Sequence, residues 1–164
     1  MDDAGQKSVK FSTPQEQSEL FELYGMPGHL IRRMNQISTS VFAAETAKAG
    51  FDLTPVQFAA LKVIRANPGL DQATLANAIA YDRVTIGGVI DRLEGKGLVR
   101  REIAKGDRRS RRLHLQAEGE KLLRGVEPVV LQAQVKILQG LSEKDRAGLM
   151  RLMRKALDKA DHIR

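Results

Sequence analysis

Residues 83–115, RVTIGGVIDRLEGKGLVRREIAKGDRRSRRLHL, constrain the chain more than any other stretch. Ile86, Val89, Ile90 and Leu93 fall at i, i+3, i+4 and i+7, which predicts a helix capped by Asp82 and stopped by Gly95-Lys96-Gly97. Residues 98–103 and 111–115 then alternate polar and apolar as strands do, with a polar loop over 104–110. Between Arg83 and Arg112 there are ten Lys/Arg against four acids, a net of +6 in a chain whose total is +7. Charge concentrated in this way is a directed electrostatic footprint for a polyanion.

The preceding segments supply the rest of a domain. Thr54-Pro55-Val56-Gln57 is a helix start followed by Phe58 and Leu61 at helical spacing, and Asn67-Pro68-Gly69 is a stop. Asp71 caps a short helix whose inner side is Leu75 and Ile79 and which is predicted to end near Tyr81. Two short helices separated by a tight turn make a helix-turn-helix, and the hairpin after them completes a winged helix.

On either side the pattern is helical. Residues 1–12 are polar and without period and are expected to form a flexible arm. A short helix is predicted from 13 to about 24, broken by Gly25-Met26-Pro27-Gly28; a second carries Leu30, Met34, Ile37 and Val41 and stops at Gly50. From Ala117 a long helix continues past Pro128 with a kink over 124–127. Ser142-Glu143-Lys144-Asp145 caps a last helix with Leu149, Leu152, Met153, Ala156 and Leu157. The expected fold is mainly α with one small antiparallel hairpin. Its expected parts are a flexible arm (1–12), N-terminal helices (13–50), a winged helix-turn-helix (51–116) and C-terminal helices (117–164).

The apolar stripe of the 83–95 helix leaves Arg83, Thr85, Gly87, Gly88, Asp91 and Arg92 outward or at its edges. Residues near the start of such a helix meet base edges in the major groove, and the helix N-terminus favours phosphate. Gly87-Gly88 costs roughly 0.8–1 kcal/mol per glycine against alanine inside a helix. Two readings are open: a close backbone approach to DNA or to a neighbouring helix, or a kinked helix touching nothing. Gly106-Asp107-Arg108-Arg109 is predicted to turn, presenting Arg109 to a minor groove while Arg108 and Arg111 hold phosphates. Asp107, among cations, reads as an internal partner of Arg109 or Arg111.

Three runs, LTPVQFAALKVI, LDQATLANAIAYDRVTIGGVIDRLEGKGLVRRE and GDRRSRRLHLQAEGEKLL, resemble the MarR-type winged-helix transcription regulators over about residues 30–160. The resemblance implies that residues 83–96 are the recognition helix and Arg109 the wing-tip arginine. It further implies a homodimer joined through N- and C-terminal helices, bound to double-stranded DNA at an inverted repeat. Two departures stand out: Gln116 replaces the threonine that usually opens the long helix, and Gly87-Gly88 replace a serine and a larger polar residue.

Members of that family are commonly released from DNA by a small ligand bound where helices meet at the dimer interface. His29, Arg32 and Gln36 share one side of a helix, and Arg33 lies in sequence among Leu30, Met34 and Ile37. An arginine at the margin of a core needs an anionic partner. Here that is either an organic acid, such as an aromatic acid held by Arg32 or Arg33 with His29 on a hydroxyl, or carboxylates of the partner subunit; the alternative is that both arginines face water.

The function so read is a DNA-binding regulator, expected to be a repressor released by an aromatic carboxylate; the alternative is an architectural DNA- or RNA-binding protein without an effector. His29, His114 and His162 are scattered and no nucleophile motif, metal spacing or phosphate loop occurs, so no catalytic residue, metal or cofactor is expected. Cysteine is absent, and no basic-then-apolar leader or run of ~20 apolar residues is seen, so no membrane partner and a cytoplasmic location are expected.

Overall fold

The computed structural model describes residues 22–104 and 107–160, with side chains except at 104, 107–110 and 159–160. In order it contains α1 (Pro27–Lys48), α2 (Pro55–Ala66), β1 (Leu70–Asp71), α3 (Gln72–Ala78), α4 (Arg83–Gly95), β2 (Val99–Ala104), β3 (Asp107–Leu115), α5 (Ala117–Ile137) and α6 (Glu143–Ala160). It divides into two compact units, Met1–Ile37 and Ser38–Arg164.

In the first unit residues 22–25 are helical, and only Met26 interrupts the chain before α1 begins at Pro27. The expected arm and the start of the first predicted helix lie outside the described residues. The stripe predicted to pack this part of α1 is not buried: Leu30 and Ile37 are exposed and Met34 is half-buried. Arg33 is exposed as well in the single chain.

The second unit holds the core. Thr54 begins α2 with a capping box, its hydroxyl accepting from the Gln57 amide at 3.3 Å while Gln57 Oε1 accepts from the Thr54 amide at 3.0 Å. Asp71 and Asp82 cap α3 and α4 by accepting the amides of Thr74 (2.9 Å) and Thr85 (2.8 Å). Leu61, Ile64, Leu75, Ile86, Ile90, Leu93, Leu113 and Leu123 are all fully buried, so α2, α3, α4, β3 and α5 share one apolar centre. Each such side chain contributes about 1.5–3 kcal/mol on leaving water. Glu127 of α5 accepts from both Lys62 and Arg65 and ties α5 to α2 at the edge of that core. The helix runs through Pro128 uninterrupted.

The sheet order is β1-β3-β2, antiparallel. Two strand expectations need correction. β1 was not anticipated: Leu70 and Asp71 pair with Leu113 and Arg112, some forty residues away, and two residues are too few to show alternation. The predicted loop 104–110 is mostly strand, because β3 starts at Asp107, which pairs with Ala104. The next pair is Ile103 with Arg111, so the register shifts and Arg108, Arg109 and Ser110 are extra residues on β3. Arg108 and Arg109 therefore belong to a bulged strand and not to a turn. Lys105 and Gly106, the rest of the predicted tip, lie outside the described residues. α3 also ends earlier than predicted, at Ala78, because Ala80 takes a left-handed φ of 56° in the turn before α4.

Candidate nucleic-acid interface

Asp82 starts α4, and Gly97, at φ 69°, ends it, with the Gly97 and Leu98 amides returning to the carbonyls of Glu94 (2.9 Å) and Leu93 (2.9 Å). Burial of Ile86, Val89, Ile90 and Leu93 then leaves no choice of face. Arg83, Val84, Thr85, Asp91 and Arg92 are exposed. Val84, Gly88 and Asp91, at i, i+4 and i+7, run down the middle of the outward side.

The predicted contact residues on α4 are thus brought together, but they are not equivalent. The Thr85 hydroxyl donates to Asp82, as does its amide, and both bonds hold the Asp82 carboxyl below the usual carboxylate range. An amide expected to favour phosphate is consequently taken by the protein's own cap. Gly87 is half-buried and faces α3: a Cβ there would lie 3.3 Å from Gln72 Nε2, a group that also donates to the Arg83 carbonyl at 3.5 Å. The end of that one α3 side chain is the only neighbour within 4 Å of the Gly87 Cβ position among the described residues. A Cβ on Gly88 would meet nothing nearer than Arg92 Nη2 at 4.0 Å.

The wing is fastened to α4 by charge. Arg101 of β2 donates to Asp91 and Glu94, each at 2.6 Å, and its amide donates to Glu94 at 3.0 Å. On the other face of the hairpin Arg100 and His114 both approach Glu102, His114 Nε2 at 3.2 Å, and Lys96 reaches Asp52 at 2.6 Å. Arg112 donates to the Gly69 carbonyl at 3.1 Å and keeps its charge uncancelled by that bond. These internal pairs account for Lys96, Arg100 and Arg101. Neither Arg83 nor Arg92 has a carboxylate within 4 Å among the described residues. Arg111 is exposed opposite Ile103; the backbone places Arg108 and Arg109 beyond it on β3, and their side chains are outside the described set.

A recognition-type helix with a free basic outer face, locked to a basic hairpin, is a nucleic-acid-binding arrangement, and comparison with known proteins gives the same answer. The profile of the MarR family matches residues 53–110. Over 130 residues, 79% of this chain and 93% of the relative, the sequence is 33% identical to transcriptional regulator HosA of Escherichia coli. The chain belongs to the MarR family of transcriptional regulators. It is also 30% identical over 152 residues to the HTH-type transcriptional repressor NicR of Pseudomonas putida, covering 93% of this chain and 94% of NicR. Among solved structures, Bordetella bronchiseptica BpsR, whose DNA binding is regulated by 6-hydroxynicotinic acid, aligns with a TM-score of 0.75 at 28% identity, over 82% of this chain and 94% of that one.

The residues predicted to hold a ligand lie in the first unit. Arg32, Arg33 and Gln36 are exposed on α1. The His29 ring packs on Tyr24 with centroids 5.3 Å apart and planes at 53°. His29 Nε2 is shielded from solvent and has no hydrogen-bond partner among the described residues. Two features of this face are not in the sequence reading: the Arg101 bridge and the exposed Val84. Arg101 enters the sequence reading only as one of ten Lys/Arg, and the acids that hold it, Asp91 and Glu94, stand three apart on α4. Val84 lies off the apolar stripe, and that displacement was its signal.

Proposed function

We propose that this MarR-family chain works as a homodimeric repressor that sets two winged helices on an inverted repeat and is released by a small aromatic carboxylate. The observation that carries the DNA half is the segregation of charge. The acids of 83–112 whose side chains are described are spent on Arg100, Arg101 and His114, so Arg83 and Arg92 face outward unneutralised. Two copies are called for by the apolar side of α6, where Leu152, Met153 and Leu157 are exposed, and by exposed Leu131 and Val135 on α5. Such a patch on one chain is covered in a stable assembly, and a two-fold dimer is the commonest closed solution.

The effector half is supported by His29. A shielded imidazole nitrogen with no described partner is unfavourable unless a ligand or another group completes it. Beside it on the same helix, Arg32 and Arg33 supply the fork geometry that a carboxylate takes, and Gln36 adds an amide. BpsR, which responds to an aromatic acid, makes that ligand class the first to try.

A salt-titrated binding assay tests the proposal. A selected palindromic duplex should bind at least about 10³-fold tighter than random duplex, whereas phosphate-dominated architectural binding shows a steep salt slope and little preference. Arg109→Ala should weaken specific binding by about 1–3 kcal/mol. A thermal-shift screen of aromatic acids should find one that raises the melting temperature. Arg33→Ala should abolish release by that acid while DNA affinity stays within about twofold; release that persists in the variant removes Arg33 from the site.

A further inference from the structure

We infer that Val84 is a specificity-determining residue that reads thymine, its methyl groups packing on a C5-methyl in each half-site of the bound duplex. The inference rests on the DNA-binding reading above and adds to it the chemistry of the operator. At 87% exposure Val84 is the most open large apolar side chain among the described residues. A single exposed valine on a surface is ordinary; its place is not. It is the second residue of α4, centred on the side opposite Ile86, Val89, Ile90 and Leu93, between Arg83 and Thr85.

Two polar neighbours on the same outer side are already engaged within the protein. The Thr85 hydroxyl is held by Asp82, and the Asp91 carboxylate by Arg101. One turn on, at i+4, Gly88 has no side chain, and a Cβ there would meet nothing nearer than Arg92 Nη2 at 4.0 Å, so the floor of a groove can come close to the helix along this line. The side chain that projects there is Val84, and a β-branched residue in a helix has essentially one rotamer, so little freedom is lost when it docks. In the major groove the apolar feature of a base edge is the thymine methyl.

The test begins with the full-length protein selecting duplexes from a random library, with deoxyuridine then replacing each thymine of the tightest duplex in turn. Removal of one methyl that Val84 covers should weaken wild-type binding about fourfold in each half-site, the value of one buried methyl group. Val84→Ala, whose fold is checked by its circular dichroism melt, should bind the thymine and deoxyuridine duplexes within about twofold of one another. The inference is overturned if no thymine matters to the wild type, or if Val84→Ala keeps the wild-type preference. A selection that enriches nothing over the random pool overturns the DNA-reading proposal itself, a result distinct from loss of the valine contact.

Discussion

α4 and α6 are both amphipathic helices with an apolar stripe at helical spacing, and the structure treats them in opposite ways. α4 buries its stripe completely, with Ile86, Ile90 and Leu93 inaccessible, and turns its basic side to solvent. α6 buries none of residues 143–158, and Leu157 stays 61% exposed. A hydrophobic stripe shows that a helix needs a partner but not whether the partner lies in the same chain. α4 finds Leu113 of β3 and Leu61 of α2 in its own core; α6, in the proposed assembly, finds a second copy.

The comparison is broken most severely at its buried member. Ile90→Ala should cost about 2–5 kcal/mol, since a fully packed side chain leaves a cavity that the surroundings only partly fill; urea unfolding measures it. Leu157→Asp should instead leave the helical spectrum of the chain and shift its mass in sedimentation from dimer to monomer. A variant that sediments unchanged would place the dimer contact elsewhere.

Gly119 gives the next largest effect, at the junction of α5 with the wing. A Cβ there would lie 2.3 Å from the Leu98 carbonyl oxygen and 2.7 Å from Leu115 Cδ1. Backbone cannot yield as a side chain can, so Gly119→Ala should destabilise by about 1–3 kcal/mol. Should its unfolding midpoint match the wild type, the fit of α5 on the hairpin is looser than these distances require.

These positions also mark what a reader of the sequence could see. The capping residues Thr54, Asp71 and Asp82 were legible because each cap needs only residues within three positions of itself. β1 was not, since its two residues acquire meaning from Leu113 and Arg112 far along the chain. Arg108 and Arg109 were assigned to a turn because strand bulges carry no local signature. Within the interface the outward residues followed from the apolar stripe alone, whereas the division of arginines into paired and unpaired needed the Arg101 bridge in three dimensions. Leu30 and Ile37 suggest by their spacing a core that the described residues of one chain do not build around them, so Arg33 stands exposed beside them.

Gly87 and Gly88 sharpen the contrast between packing and recognition within a single helix. Gly88→Ala has room and should raise stability by roughly 0.8–1 kcal/mol through helix propensity. On the proposed DNA face it should simultaneously weaken specific binding severalfold, because the added methyl holds the groove away. Gly87→Ala must move the end of Gln72, so part of the same gain is lost. If Gly88→Ala binds DNA as well as the wild type, close approach at α4 is refuted.

The smallest effect separates ion pairs that brace the fold from the outward cations of the proposed DNA face. Arg65 and Lys62 donate to Glu127 and hold its carboxyl below the usual carboxylate range, while the same bond raises Arg65. A carboxylate with a lowered folded pKa stabilises the protein above its unfolded value, and that stabilisation is lost as pH falls through the folded one. Glu127→Gln should therefore be less stable than the wild type at neutral pH, with the two converging as acidification passes below the usual carboxylate range and through the lowered folded value. At 29% and 27% side-chain exposure Arg65 and Glu127 are partly screened, so the difference should be small and shrink in high salt. DNA affinity at neutral pH should be unaltered, because Glu127 braces α5 against α2 and faces neither Arg83 nor Arg92. An altered affinity would mean that the brace and the DNA-reading surface are mechanically coupled.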